Sequence, residues 1–171
     1  VRTHGSVYHV AHFQGEASFD RKSRRAIEAK AALAEAAARL VDREMHVFVD
    51  AGTSTLEVGR RLLRQGVDSG SGGGGSKGAA SASRPPITIY TNSIPLLSEA
   101  VPDGGNVRLI SLGGEVRPLS MALTGTIAME WMERLRFDLA FLGTSGGDPA
   151  VGGTTTGLSE VALKRAGLNL S

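Results

Sequence analysis

The stretch "MHVFVDAGTST", residues 45–55, decides how the chain folds. Its first half contains a short β-branched and aromatic run, "HVFVD" (46–50), of the kind that forms a buried strand. Its second half is an acid, a glycine and hydroxyl side chains. The residues that follow, "LEVGRRLLRQ", place Leu56, Gly59 and Leu63 on one helical face. Strand, polar turn and helix thus come in direct succession.

That order repeats downstream. "ITIY" (87–90) is a second strand, "TNS" (91–93) its turn, and "SIPLLSEAV" (93–101) a short helix whose Pro95 suits a first turn. "VRLISL" (107–112) is a third strand, followed by the turn "GGEVRPLS" (113–120). "TGTIAMEWMERL" (124–135) is a helix with Ile127, Trp131 and Leu135 on one face. "FDLAFLG" (137–143) is a fourth strand, and "GTSGGD" (143–148) and "GGTTTG" (152–157) lead from it into the helix "LSEVALKRA" (158–166). Trp131, Phe137 and Phe141 read as core. Strands alternating with helices specify an α/β domain with a mainly parallel sheet. Continuous apolar strand runs suit a Rossmann-like sheet covered by helices on both faces.

Upstream, "RRAIEAKAALAEAAARLV" lies in a strongly helix-forming stretch from Asp20 to about Arg43. Ile27, Ala31, Ala34, Ala37, Ala38 and Val41 give it one apolar stripe. Residues 1–19 lack a helical period and read as an arm, with "SVYHV" as its best strand candidate. "GVDSGSGGGGSKGAASASRPP" (66–86) is a Gly/Ser/Ala-rich insertion where a few residues would normally join helix to strand. Its composition predicts a flexible, dispensable coil. The expected organisation is therefore an arm at 1–19 and one domain at 20–171, interrupted at 66–86.

Composition narrows the function classes. Of 171 residues, 41% are hydrophobic and 21% charged, as in ordinary globular domains. No run approaches the roughly 18–20 apolar residues of a membrane span, and no charged-then-apolar leader is read. Cysteine is absent, which excludes disulfides and thiolate metal sites and fits a cytoplasmic protein. The net charge of +2 does not make the domain a nucleic-acid-coating surface. Its basic runs, "RKSRR" (21–25) and "RR" (60–61), read as solvated helix faces. His4, His9 and His12 cluster in the arm without acids or thiolates, so no metal site is expected.

In a parallel sheet every strand's C-terminal turn lies along one edge, where open α/β sheets bind ligands. Taken singly, each turn is explained by Ser, Thr or Asp capping a helix and Gly closing a bend. Taken in series, the polar turns form a pocket suited to a phosphate or a polyhydroxylated molecule. Lys164 and Glu160 are spaced i, i+4 and form either an exposed pair or, if their helix starts at the pocket, an anion-binding group. Arg117 follows a Gly-Gly turn and can fork onto a phosphate or carboxylate. There is no GxGxxG, no P-loop Lys-Ser/Thr and no Ser/His/Asp set.

The ordered set "FDRKSRRAIEAKAALAEAAARLV", "VFVDAGTST", "TNSIPL", "LISLGGEVRPLSMALTG" and "RFDLAFLGTSGGDPAVGGTTTGLSEVALKR" closely resembles the C-terminal sensor domain of DeoR-type transcriptional regulators. The resemblance covers about 19–166, apart from the insertion. It implies the fold of ribose phosphate isomerases and CoA transferases, and binding of a phosphorylated sugar or related metabolite rather than a cofactor. It implies effector-binding roles for Asp50, Gly52, Thr53, Ser54 and Thr55 in the first turn, and for Thr91, Asn92 and Ser93 in the second. The same roles fall to Gly113, Gly114, Glu115 and Arg117, to Gly143, Thr144 and Ser145, and to Glu160 and Lys164.

In such regulators a winged helix-turn-helix reads the operator. "VRTHG" resembles the exit of that module, whose DNA-reading helices this chain does not carry. The resemblance also implies a further strand and helices beyond Lys164, so an incomplete sheet and a homo-oligomer joined through an unpaired strand edge are expected. The expected function is effector sensing in a repressor of carbohydrate metabolism. The alternative is a sugar-phosphate isomerase or deaminase, with Asp50, Glu115, Asp148 or Glu160 as the acid–base group.

Overall fold

The computed structural model describes residues 2–3, 6–7, 16–68, 87–100, 107–150 and 152–170. At the N-terminus β1 (Arg2–Thr3) and β2 (Ser6–Val7) pair antiparallel. Two helices follow, α1 (Phe19–Ser23) and α2 (Ile27–Ala38). The centre is a parallel sheet of β3 (His46–Val49), β4 (Ile87–Thr91), β5 (Val107–Ser111) and β8 (Leu139–Phe141), in the order β5-β4-β3-β8. Phe48 lies between Tyr90 and Ala140 in the register, and Val49 between Thr91 and Phe141.

Alternation along β3 divides the core into two layers. Val47 and Val49 pack with Ala34 and Ala38 of α2, with Leu56, Val58 and Leu62 of α3 (Thr53–Asp68), and with Leu96 of α4 (Ile94–Ser98). Phe48 points the other way, toward Phe137, Ala128 and Met132 of α5 (Thr126–Arg134) and Leu163 of α6 (Leu158–Asn169). Helices therefore cover both faces of a parallel sheet, as expected.

Two helical faces differ from the periodic reading. The long N-terminal helix is split, because Ala26 takes a left-handed φ of 51°. Lys30 Nζ reaches back to the Lys22 carbonyl at 2.6 Å and so satisfies the end of α1. Only the later part of the alanine stripe is buried; Ile27 is exposed. In α5 the core face is Ala128 and Met132, which leaves Ile127 57% and Trp131 56% exposed. The turn at Gly114 passes directly over Ala128, and a bulky side chain would not fit there. Of the Gly/Ser insertion, Gly66–Asp68 extend α3, and 69–86 lie outside the described residues.

Two small hairpins stand where the sequence shows only turns. β6 (Glu115–Arg117) and β7 (Ala122–Thr124) are antiparallel, as are β9 (Gly146–Asp148) and β10 (Gly152–Thr154). The first hangs from the end of β4: Leu123 N–H donates to Asn92 O at 2.8 Å, and Ile94 N–H to Met121 O at 3.1 Å. It thereby carries Arg117 over the C-terminal edge of the sheet.

Candidate functional site

Asp50 is the first residue beyond β3 and is 1% exposed. Its Oδ2 accepts the Gly143 N–H at 3.0 Å and forms an ion pair with Lys164 Nζ. The turns after β3 and β8 touch here. A side chain at Gly143 would sit 3.3 Å from the Ala51 carbonyl oxygen, so this approach is built on glycine. Burial pushes the Asp50 carboxyl above its ordinary range, while the Lys164 ammonium and the Gly143 N–H pull it back.

Lys164 and Glu160 share the inward face of α6 and do not form a solvent-exposed pair. Lys164 Nζ lies 4.0 Å from Glu160 Oε2, and Thr155 Oγ1 donates to the same oxygen at 3.4 Å. Glu160 Oε1 accepts from Arg117 Nη1 at 3.1 Å, and Ser120 Oγ accepts from that nitrogen at 2.9 Å. Arg117 also forks onto Glu16, with Nη2–Oε2 at 2.5 Å and Nη1–Oε1 at 3.3 Å. Lys22 Nζ closes the far end on Glu16 Oε1 at 3.1 Å. Lys22, Glu16, Arg117, Glu160, Lys164 and Asp50 thus form one chain of alternating charge. Among the described residues every buried side-chain nitrogen and oxygen has a partner.

The remaining expected residues divide into braces and exposed groups. Asn92 Oδ1 accepts the Ala51 N–H at 2.7 Å, which locks the turns after β4 and β3 together. Thr91 Oγ1 donates to Val49 O at 2.6 Å, Thr55 Oγ1 donates to Gly52 O at 3.0 Å, and Ser93 Oγ accepts the Leu96 N–H at 3.4 Å. Ser93 is a helix cap, Thr91 ties β4 to the end of β3, and Thr55 binds back to the turn before α3. Gly52 lies against Gly143, and Thr53 and Ser54 open the first turn of α3, half-buried. Gly113 and Gly114 form a turn with φ of 70° and 114°. Glu115 is exposed with its carboxylate beside Gly125, and Thr144 and Ser145 are exposed at the mouth of β9–β10.

Sequence reasoning missed Glu16, Lys22, Ser120 and Thr155. Glu16 sits in a segment without period, so nothing in the pattern singles it out. Ser120 and Thr155 lie in turns already recognised as polar, but composition does not separate a ligand to a cation from a cap. Among the described residues no group of three His, Cys, Asp or Glu is arranged to hold a metal ion. His4, His9 and His12 lie outside the described residues.

The Arg117 guanidinium, opposed by burial and aided by Lys22, holds the Glu16 carboxyl down at about 2, against an ordinary 4.5. A carboxyl lowered on folding stabilises the fold above its unfolded value and loses that contribution as pH falls toward its folded value. Glu16→Gln should therefore cost about 2 kcal/mol at neutral pH. The gap to the unsubstituted protein should narrow below about pH 4.5 and close near pH 2. Urea unfolding of both proteins across that range checks this; a gap independent of pH would refute the ion pair.

A sequence model described as the DeoR C terminal sensor domain matches residues 79–171. The chain belongs to the DeoR sensor-domain family. This DeoR sensor domain is 32% identical over 95% of its length to the HTH-type transcriptional regulator GlpR of Haloferax volcanii, covering 56% of that protein. It is 26% identical to the HTH-type transcriptional regulator FruR of Bacillus subtilis, over 96% of this chain and 57% of that one. To the HTH-type transcriptional regulator GolR of Listeria innocua it is 26% identical, again over 96% and 57%. The chain spans a little over half the length of these relatives. They are named as transcriptional regulators, and the family assignment gives no support to an isomerase or deaminase. Among the described residues no helix is long and apolar enough to cross a membrane.

Proposed function

We propose that this DeoR sensor domain binds a phosphorylated sugar at the strand-end edge and thereby governs a cytoplasmic repressor of carbohydrate metabolism. The observation that carries the reading is the pairing of Arg117 and Lys164 on one edge, joined through Glu160 and ringed by glycine, hydroxyl and helix-terminal groups. Two cations suit a phosphate monoester, and the hydroxyl-rich turns suit a sugar. Operator DNA would be read by an N-terminal winged helix-turn-helix, in a homo-oligomer. Exposed Ile127 and Trp131 on α5 offer apolar area that self-association would cover. The effector acts through unequal affinity for two states of the regulator, typically about 1–3 kcal/mol of coupling.

A thermal-shift panel of sugar phosphates tests this. The true effector at about a hundred times its dissociation constant should add about 2.7 kcal/mol and raise the melting temperature by about 5 °C or more. Lys164→Ala should abolish the shift. A flat panel across phosphorylated sugars and polyols would overturn the reading.

A further inference from the structure

The chain of alternating charge holds three cations, Lys22, Arg117 and Lys164, and three carboxyl groups, Glu16, Glu160 and Asp50. The network is balanced before any ligand arrives. A phosphate monoester brings a charge of about −2, and every cation in the network already faces a carboxyl group. For an anion to take both terminal nitrogens of Arg117, a carboxylate has to leave.

The three candidates are not equivalent. Asp50 is 1% exposed and fixed by the Gly143 amide as well as by Lys164. Glu160 is on the first turn of a twelve-residue helix and is braced by Thr155. Asp50 directly continues β3, whereas Glu16 lies in the irregular segment 16–18 ahead of α1. Glu16 also takes the geometry an incoming phosphate would take, with both oxygens on the two terminal nitrogens of Arg117. Its departure has a mechanical consequence. The segment 16–19 is tied to the β6–β7 hairpin by this fork and by one backbone bond, Phe19 N–H to Leu119 O at 3.0 Å.

We propose that Glu16 is a built-in competitor for the anionic group of the effector. The phosphate displaces its carboxylate from Arg117, and the segment entering α1 loses its hold on the hairpin. The proposal rests on the sugar-phosphate reading above and adds the route by which occupancy reaches the chain preceding α1.

The test uses the full chain with inorganic phosphate as the probe, by calorimetric titration and amide hydrogen exchange. Glu16→Gln should bind phosphate about five- to tenfold more tightly, although it is the less stable protein. In the unsubstituted protein, saturating phosphate should speed exchange at the Phe19 amide, a readout that needs no variant. A purely structural Glu16 would give weaker or unchanged binding on substitution and no change at Phe19. That result, with phosphate binding still lost in Arg117→Gln, would overturn the competitor while leaving the site intact. No binding by either protein up to about 10 mM phosphate would overturn the competitor and the sugar-phosphate site together.

Discussion

Asp50→Ala is expected to lower the unfolding free energy by about 3–5 kcal/mol and to abolish effector binding. The side chain is buried at the junction of two strand ends and accepts from both Lys164 and the Gly143 amide. Removing it leaves that amide without its acceptor and an ammonium whose nearest remaining carboxylate, Glu160, is 4.0 Å away. Asp50→Asn keeps the volume and the bond from Gly143, and should cost about half as much. Adding Lys164→Met to Asp50→Ala removes the orphaned charge and should recover part of the loss. Denaturant unfolding of the singles and the double completes the cycle. Strict additivity would show that the pair is not energetically coupled.

Gly114→Ala is expected to cost about 3–5 kcal/mol, from a strained backbone and an overpacked turn together. Gly114 has φ of 114°, and an added Cβ would fall on the Thr124 carbonyl oxygen and lie 3.2 Å from Ala128 Cβ. Backbone on one side and a buried helix face on the other leave nothing flexible to give way. Gly113 provides the control. Its φ of 70° is also left-handed, but its Cβ would meet only Ile127 Cγ2, at 3.8 Å. Gly113→Ala should cost only about 1–2 kcal/mol. Equal losses, measured as shifts in urea midpoint, would show that the clash at Gly114 does not set its cost. The turn leads straight into β6, so Gly114→Ala should also weaken anion binding by moving Arg117.

The fold was legible because its signal is repeated. "HVFV", "ITIY", "VRLIS" and "LAF" are apolar runs that end in glycine or hydroxyl turns, and they became the four strands of the sheet. Periodicity was less reliable for facing. Ile127 and Trp131 share a helical face, as their spacing requires, but Ala128 and Met132 face the core, and at Ala128 the Gly114 turn admits only a small residue beneath it. Of the residues expected at the site, Asp50, Arg117, Gly143, Glu160 and Lys164 are brought together by their polar contacts, and Asn92 braces their turns. Glu115, Thr144 and Ser145 share that edge but stay exposed. Glu16 was not legible: a lone acid in an aperiodic segment becomes meaningful only when Arg117, 101 residues later, folds against it.

That span has a consequence for synthesis. Lys164 meets Asp50 across 114 residues, and Arg117 meets Glu16 across 101. Contacts so distant along the chain are the slowest to close. A nascent chain can lay down β3, β4 and β5 and bury much of one core layer, yet it has no cation beside Asp50 until α6 has emerged. The strand-end network therefore closes only after α6 has been made, and until then Asp50 lacks the cation that it pairs with in the folded protein.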